Sequence, residues 1–301
     1  MAVPADTEER IDARCGRDPA CAGAVSAVLA QAADVLAPFV DEPRLEAEIL
    51  LAHVLNVSRS VFRAWPDDAV DSASLRRFWR TVERRRDGVP NAYLTGRREF
   101  WSMAFEVDEA VLIPRHETEC LVETALALLP GDAPSTVVDA GTGCGAVAAA
   151  LAAECPHWRV IATDLSLAAL AVAKRNLRRI GARNVALAAG CWLAPFRDGC
   201  IDLLVSNPPY VAAGDPHLQR GDPQFEPRIA LDGGADGLDA LRGLAAGARR
   251  CLKPGGYLVL EHGYDQGAAT RRLLAAAGYG AIATRRDYAG QERITRARWP
   301  A

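Results

Sequence analysis

Two different periodicities divide the hydrophobic positions of the chain. Between residues 22 and 88 apolar side chains recur every three or four residues, which predicts a small domain of three helices. The third helix is expected to begin after Asp71, a good capping residue, and to stop at Gly88. Residues 1–21 show neither periodicity, so we expect a loose N-terminal tail there.

From residue 136 onward short apolar runs alternate with amphipathic segments. This alternation predicts a parallel sheet with helices on both faces. The expected strands are residues 136–140, 159–164, 185–189, 201–206 and 256–261, with two weaker strands at 281–286 and 292–298. The expected helices are residues 146–154, 167–180, 238–251 and 267–277, preceded by one that ends near residue 129. We therefore predict an α/β domain at residues 116–301.

Residues 89–115 follow a third pattern. Aromatic side chains alternate there with polar residues and turns, at Tyr93, Phe100, Trp101 and Phe105. Such a pattern is typical of a β-hairpin. We predict a hairpin linker that joins the helical domain at residues 22–88 to the α/β domain.

The amino-acid composition argues against several classes of protein. The 301 residues suffice for two domains, and their net charge of −3 argues against a dedicated nucleic-acid-binding protein. No apolar run approaches the roughly 20 residues of a membrane helix, and the acidic start of the chain does not suit a signal peptide. The eight cysteines form no CxxC pair, so we expect free thiols in a reducing cytoplasm and no metal site.

The stretch Ser206-Asn207-Pro208-Pro209-Tyr210 ends one of the predicted strands. Two prolines cannot continue a central strand, so Asn207 is left at the carboxyl end, where open α/β sheets bind ligands. The Asn207 side-chain oxygen and the Pro208 carbonyl can each accept a hydrogen bond from a planar NH2 group, and Tyr210 adds an aromatic face. The stretch therefore predicts a site for a planar amino group.

A glycine-rich loop at residues 139–145 follows the first strand of the predicted sheet. Its glycines allow close approach to the backbone but do not fit the GxGxxG fingerprint of dinucleotide-binding proteins. Asp139 suits a cationic ligand, such as the amino group and sulfonium of S-adenosylmethionine. Asp164, at the end of the next strand, can accept hydrogen bonds from ribose hydroxyls, and Trp192 can stack on adenine. The candidate cofactor-binding residues are Asp139, Gly141, Thr142, Gly143, Cys144, Gly145, Asp164, Leu165, Cys191, Trp192 and Asn207.

These motifs resemble the release-factor glutamine methyltransferases, the HemK/PrmC family. Residues 139–145 are similar to the family's cofactor loop, and residues 206–210 match its substrate motif. Further matches lie at residues 93–96, 98–101, 112–119, 215–218, 225–227, 260–263 and 286–288. Asn-Pro-Pro-Tyr alone also occurs in enzymes that methylate amino groups of DNA and RNA. The segment Pro-Arg-His-Glu-Thr-Glu at 114–119 and the helical N-terminal domain make the match specific.

The resemblance implies a Rossmann-like class I methyltransferase domain whose seven-stranded, mostly parallel sheet has an antiparallel last strand. It implies methyl transfer from S-adenosylmethionine to N5 of the glutamine in the Gly-Gly-Gln loop of class 1 peptide-chain release factors, with S-adenosylhomocysteine released. This methylation modulates translation termination. Asn207, Pro208 and Tyr210 would be catalytic. The substrate-binding residues would be Asn207, Pro208, Pro209, Tyr210, Phe100 and Arg115. A monomer that docks the factor on its helical domain is expected, with no nucleic-acid or membrane partner.

The chain also departs from the family pattern. Ala140 and Cys144 stand where Leu and Thr are expected, His116-Glu117 replaces a Pro-Asp or Pro-Glu pair, and Cys191 stands where an Asp often lies beside adenine. Two alternative functions stay open at this point. One is a nucleic-acid methyltransferase for adenine N6 or cytosine N4, which would need base flipping. The other is a non-catalytic cofactor-binding module for translation factors.

Overall fold

The computed structural model describes residues 23–219 and 221–301. Contacts within the chain divide it into two units, one ending at Gly96 and the other beginning at Arg97. The tail predicted for residues 1–21 lies outside the described residues.

The first unit is mainly helical. Its helices are α1 (Val25–Leu36), α2 (Pro43–Leu55), α3 (Ser60–Ala64), α4 (Ser72–Arg86) and α5 (Asn91–Thr95), and its two short antiparallel strands are β1 (Gly23–Ala24) and β2 (Ala69–Val70). Asp71 caps α4 as predicted, since its side chain accepts hydrogen bonds from the backbone N–H groups of Ala73 and Ser74. The apolar faces of α1, α2 and α4 form one buried core that includes Leu29 and Phe78.

The second unit begins with a β-hairpin of β3 (Arg97–Phe100) and β4 (Met103–Glu106). Trp101 and Ser102 both have positive φ at its two-residue turn, as type I′ hairpin turns require. The predicted hairpin is therefore present, but it begins later than expected. Tyr93 lies in α5, which ends at a left-handed Gly96, rather than in the hairpin.

Seven strands form the sheet of the second unit. They are β5 (Ser135–Ala140), β6 (Trp158–Asp164), β7 (Val185–Ala189), β8 (Ile201–Ser206), β9 (Leu252–Glu261), β10 (Gly280–Arg286) and β11 (Glu292–Arg298). Their spatial order is β10-β11-β9-β8-β5-β6-β7, and only the last strand, β11, runs antiparallel to its neighbours. This confirms the α/β prediction and the antiparallel last strand. Strand order reverses between β6 and β8 on either side of β5, which is where open sheets bind ligands.

Helices cover the sheet: α6 (Glu119–Leu126), α7 (Ala146–Glu154), α8 (Leu167–Ile180), α9 (Asp239–Cys251) and α10 (Gly267–Ala276). Helix α6 ends three residues before the predicted end because residues 127–129 form a turn ahead of Pro130. Strand β9 begins at Leu252, before the predicted 256, although its regular pairing with β8 starts only at Tyr257. Three short 3-10 turns between β8 and α9, at 216–219, 222–225 and 228–230, were not predicted.

Two further observations concern the cysteines and the length of the helices. Within residues 23–219 and 221–301 the six cysteines are free thiols, and four of them are buried, at Cys120, Cys144, Cys155 and Cys251. None of the helices described is long and apolar enough to cross a membrane.

Candidate active site

A cavity of about 430 Å³ opens at the carboxyl ends of the central strands of the second unit. Its wall brings together almost the whole predicted cofactor set: Asp139, Gly141, Thr142, Gly143, Cys144, Asp164, Leu165, Cys191, Trp192 and Asn207. Among the predicted substrate residues Phe100, Arg115 and Pro209 also line it. Residues that are far apart in sequence thus meet at one edge of the sheet.

Asp139 lies at the end of β5 and is almost completely buried. Its Oδ2 accepts hydrogen bonds from the Thr142 hydroxyl (2.6 Å) and the Ala148 N–H (3.2 Å). Burial raises the pKa of this carboxyl to about 6, against the lowering effect of those two donors. Because Oδ2 takes both bonds, Oδ1 has no hydrogen-bond partner among the described residues. A buried carboxylate oxygen in a cavity wall suits a cationic group.

Asp164, at the end of β6, holds the glycine loop in place. Its Oδ2 accepts a hydrogen bond from the Gly143 N–H (2.9 Å), and its Oδ1 accepts one from the Ser166 N–H (2.8 Å). Each carboxylate oxygen keeps a second lone pair, so two hydroxyl donors can still bind. The carboxylate therefore fixes the loop and remains an acceptor.

The Trp192 ring packs on the glycine loop. Gly141 has a φ of +77°, and a Cβ at this position would lie 3.3 Å from the indole. A side chain there would thus be strained by its backbone and crowded by Trp192. Cys191, beside this ring, is exposed.

Gly145 differs from the other predicted loop residues because it is absent from the cavity wall. It has a φ of +86° and precedes α7, and a Cβ here would lie 3.3 Å from the Ala173 side chain of α8. Its small size allows two helices to approach. Its predicted contact with cofactor finds no support in this geometry.

Asn207 follows β8, and a neighbouring turn fixes the direction of its amide. Its Nδ2 donates a hydrogen bond to the Thr118 hydroxyl (3.1 Å). Thr118 ends a 3-10 turn at His116–Thr118, just before α6, and also lines the cavity. The Asn207 Oδ1 makes no hydrogen bond within residues 23–219 and 221–301, so it is available as an acceptor.

The rest of the Asn-Pro-Pro-Tyr turn lies partly behind the wall. Pro208 is buried, and neither it nor Tyr210 is among the residues that line the cavity. The Tyr210 hydroxyl lies 3.4 Å from Oε1 of Glu261, and burial raises its pKa. The Tyr210 carbonyl accepts a hydrogen bond from Gln266 Nε2 (2.9 Å). Tyr210 therefore faces the interior, where it can position the turn.

Phe100 and Arg115 also line the cavity. Phe100 is buried at the end of β3 and packs edge-on against Phe105. Arg115 donates a hydrogen bond to Oε2 of Glu226 (2.6 Å), whose Oε1 accepts one from the Ile113 N–H. Burial raises the pKa of Glu226, and Arg115 partly offsets this rise. Glu226 thus ties residues 113–115 to the segment between the last two 3-10 turns.

The sequence matches two protein families: the PrmC N-terminal domain over residues 27–96 and the methyltransferase small domain over residues 118–221. The release factor glutamine methyltransferase of Xylella fastidiosa (strain Temecula1) is 49% identical over 257 residues, which cover 85% of this chain and 94% of that protein. The protein of the same name from Bordetella pertussis is 50% identical over 253 residues, with 84% and 94% covered.

This chain belongs to the release factor glutamine methyltransferase family. The resemblance seen in the motifs is thereby confirmed. Among solved structures, a methyltransferase from Pyrococcus furiosus is 19% identical, with a TM-score of 0.49 over 65% of this chain and 89% of that one.

For three residues in or next to the cavity wall, the sequence alone predicted no role. Thr118 holds the Asn207 amide, Ile229 is an exposed apolar side chain at the wall, and Glu261 contacts Tyr210. Thr118 and Glu261 both lie in segments that match the family, at 112–119 and 260–263. Similarity to the family was therefore the sequence signal that could have identified them. Ile229 follows no motif, and only the fold brings it to the cavity.

Proposed function

We propose that this chain transfers a methyl group from S-adenosylmethionine to N5 of the glutamine in the Gly-Gly-Gln loop of class 1 peptide-chain release factors. Family membership supports the reaction. The single observation that carries the proposal is the Asn207 amide, which Thr118 holds by its nitrogen so that its oxygen can accept a hydrogen bond from an amide NH2.

The residues at the cofactor end fit S-adenosylmethionine. Asp139 would hold a cationic group of the cofactor with its unpartnered Oδ1, and Asp164 would accept hydrogen bonds from ribose hydroxyls. The surface formed by Leu165, Cys191 and Trp192 would take the adenine. When bound, this cofactor supplies a methyl group attached to a positively charged sulfur.

The chemical problem is the weak nucleophilicity of an amide nitrogen, whose lone pair is delocalised into the carbonyl. Asn207 Oδ1 would accept one N–H bond of the substrate glutamine, and the backbone carbonyl of Pro208, whose ring is buried behind the cavity wall, would accept the other. Together they would direct the lone pair toward the methyl group. The same acceptors would stabilise the positive charge that develops on this nitrogen. Positioning supplies much of the remaining acceleration, and the proton leaves to solvent after transfer.

The other predicted substrate residues would shape the approach of the glutamine. Pro209 and Phe100 form apolar parts of the cavity wall. Arg115 holds the segment around residue 226 in place through its hydrogen bond to Glu226. Tyr210, whose hydroxyl faces Glu261, would act as a positioning residue behind Asn207 rather than as a contact to the methyl group.

The alternatives are less well supported. A nucleic-acid methyltransferase would need a basic docking surface, whereas the chain carries a net charge of −3. A non-catalytic module would have no use for an amide acceptor held in the same cavity wall as Asp139 and Asp164. We further infer that the helical domain at residues 22–88 docks the factor, joined by the linker at 89–115 to the methyltransferase domain at 116–301. A cytoplasmic monomer without nucleic-acid or membrane partners completes the proposal.

The decisive experiment incubates the enzyme and S-adenosylmethionine with a folded class 1 release factor. Intact mass should show one added methyl group, and tandem mass spectrometry should place it on the Gly-Gly-Gln glutamine. A factor with that glutamine replaced by Ala is the control and should gain no methyl group. A short Gly-Gly-Gln peptide should be a poorer substrate, because it offers nothing for the helical domain to dock.

Parallel reactions contain DNA or RNA in place of the factor. Methyl label on nucleic acid with none on the factor would establish the first alternative. No transfer to any of these acceptors, by an enzyme that binds S-adenosylmethionine, would favour the non-catalytic module.

A further inference from the structure

Glu261 is a buried carboxylate that the reaction proposed above does not use. It ends β9, next to the end of β8 in the sheet, where Ser206 pairs with Leu260. Only 1% of its surface is exposed. Its Oε1 accepts the Tyr210 hydroxyl at 3.4 Å, while Oε2 has no hydrogen-bond partner among the described residues. A buried oxygen without a partner destabilises the fold, so its presence calls for a functional explanation.

Two hydroxyls of the substrate end act on this carboxyl. The Tyr210 hydroxyl lies 3.4 Å from Oε1, whereas the Thr118 hydroxyl lowers the pKa of Glu261 but makes no hydrogen bond to it among the described residues. Thr118 already accepts a hydrogen bond from Asn207 Nδ2. Because a hydroxyl has a single proton, the Thr118 proton is free to be donated away from Asn207 and toward the carboxyl.

The direction of these hydrogen bonds matters for the substrate. If Thr118 donated its proton to Asn207 instead, the amide would have to turn its oxygen to Thr118 and its NH2 to the cavity. An NH2 group facing the NH2 of a glutamine offers a donor to a donor, and no hydrogen bond forms. An acceptor-only group behind Thr118 prevents this reversal, and an ionised carboxylate is such a group.

We infer that Glu261 is a positioning residue that accepts the Thr118 and Tyr210 protons and thereby keeps the Asn207 oxygen directed at the substrate amide. Glu261 itself does not line the cavity, so it acts through Thr118. The inference rests on the proposed function, because it assigns Glu261 a part in presenting the glutamine for methylation.

Charged groups around Glu261 determine when it is an acceptor. Burial raises its pKa to about 7, Glu117 adds to the rise, and Arg293 opposes it. Arg293 also pairs with Asp287, Arg115 acts on the neighbouring Tyr210, and the next residue in the strand is His262, whose burial lowers its own pKa. Protonation would turn one carboxylate oxygen of Glu261 into a donor, whereas the Thr118 and Tyr210 hydroxyls need an acceptor. The rate at saturating cofactor should therefore fall as the pH decreases through about 7.

The test compares methylation of a folded release factor by wild-type enzyme and by Glu261→Gln. The amide is close in shape but replaces one acceptor by a donor, so kcat should fall by about 10- to 100-fold, and its dependence on pH near 7 should vanish. The affinity for S-adenosylmethionine, measured by calorimetry, should stay within about threefold of wild type. Glu154→Gln, an exposed site at the far end of α7, is the matched control and should keep the wild-type rate.

Thr118 gives a second, independent pair of variants. Thr118→Val removes the hydroxyl at constant shape and should lower kcat as Glu261→Gln does, whereas Thr118→Ser keeps the hydroxyl and should recover most of the rate. The double variant Glu261→Gln with Thr118→Val should be no slower than the slower single variant, since both break one array. This pair also keeps the test decisive if Glu261→Gln fails to fold.

The outcomes separate this inference from the proposed function. A wild-type enzyme that does not methylate the factor would refute the proposed function before any variant is compared. A wild-type enzyme that does, together with wild-type kcat in Glu261→Gln or in Thr118→Val, would refute the positioning role. Equal losses in Thr118→Ser and Thr118→Val, accompanied by lost cofactor affinity and a lower Tm, would show a purely structural role and refute it as well.

Discussion

The two ends of the cavity hold their polar groups in different ways. At the cofactor end, Asp139 and Asp164 bind mainly backbone N–H groups of the glycine loop and of the first turns that follow it, and the Thr142 hydroxyl of the same loop adds a side-chain donor to Asp139. At the substrate end, polar side chains hold one another: Asn207 binds Thr118, and Tyr210 binds Glu261. The partners at the cofactor end lie within 21 residues of each other, whereas those at the substrate end are 89 and 51 residues apart.

This difference has a physical consequence. A carboxylate that binds backbone groups fixes the shape of its loop, and its remaining lone pairs stay available whichever side chains surround it. A side-chain array has a direction, because each hydroxyl donates one proton and each amide has one donor end. The cofactor end should therefore respond to mutation mainly in affinity, and the substrate end mainly in rate.

The largest expected effect comes from Asn207→Ala. Removing one preorganised contact to a transition state costs roughly 10²–10³ in rate at comparable sites, so methyl transfer to the factor should slow by at least that much. The variant should fold, because Asn207 lies at a strand end and is only half-buried.

Calorimetry with S-adenosylmethionine supplies the control for Asn207→Ala. Affinity should change far less than the rate, and the Tm should stay close to that of wild type. A full rate of methylation in this variant would contradict the role of Asn207. A loss of affinity as large as the loss of rate would erase the difference between the two ends.

Asp164→Ala tests the other end and should produce a smaller effect. Charge-assisted hydrogen bonds contribute about 1.5–3 kcal/mol, so cofactor binding should weaken by roughly 10- to 100-fold, while kcat at saturating cofactor changes little. Asp198→Ala, at a side chain that is 79% exposed and paired with Arg250, is the matched control. Unchanged affinity by calorimetry in Asp164→Ala would remove Asp164 from the cofactor site.

The same difference explains how much the sequence could predict. Asp139, the glycines and Asp164 form a local pattern of strand, loop and strand end, and almost all of them line the cavity as expected. The Asn-Pro-Pro-Tyr turn was also located, since two consecutive prolines cannot continue a central strand. A local sequence pattern could not predict the direction in which the side chains of this turn point. Tyr210 faces Glu261 because β8 and β9 are neighbours, and strand order is a property of the whole sheet.

Loop geometry limited the predictions in the same way. Gly145 belongs to the glycine motif by sequence, yet its space is taken by Ala173 of a helix that begins more than twenty residues later in the chain. The 3-10 turns between β8 and α9 carry no periodicity, so Ile229 could not be assigned to the cavity wall in advance. In both cases a long-range contact decided the role of the residue.

The next effect in size is the pH dependence of cofactor affinity. Burial raises the pKa of Asp139 from its ordinary 3.8 to about 6. Only the ionised form attracts a cationic group, so affinity should fall as the pH decreases below 6, approaching tenfold per pH unit. Asp139→Asn should bind weakly and without this dependence. Equal wild-type affinity at pH 5 and pH 7 would exclude Asp139 as the cation partner.

The ligand-free enzyme should show the opposite trend in stability. Between pH 3.8 and about 6 the unfolded chain loses the Asp139 proton before the folded chain does, so the contribution of this residue to the free energy of unfolding decreases as the pH rises. Denaturant unfolding of wild type and Asp139→Asn across this range measures it. A contribution that increased with pH would contradict the burial of this carboxyl.

The smallest effect is expected for Cys191→Asp, at the position where the family often has an acidic residue beside adenine. Cys191 is exposed at the cavity wall and precedes Trp192, whose φ is +48°. A carboxylate here adds an acceptor for the adenine amino group without filling buried space. A hydrogen bond contributes about 0.5–1.5 kcal/mol, so S-adenosylmethionine should bind equally well or up to roughly tenfold more tightly. Cys191→Ala, which adds no acceptor, should leave the affinity unchanged. If Cys191→Asp folded with its normal Tm but lost the cofactor, the adenine end of this enzyme would be packed around the thiol rather than open to a polar partner.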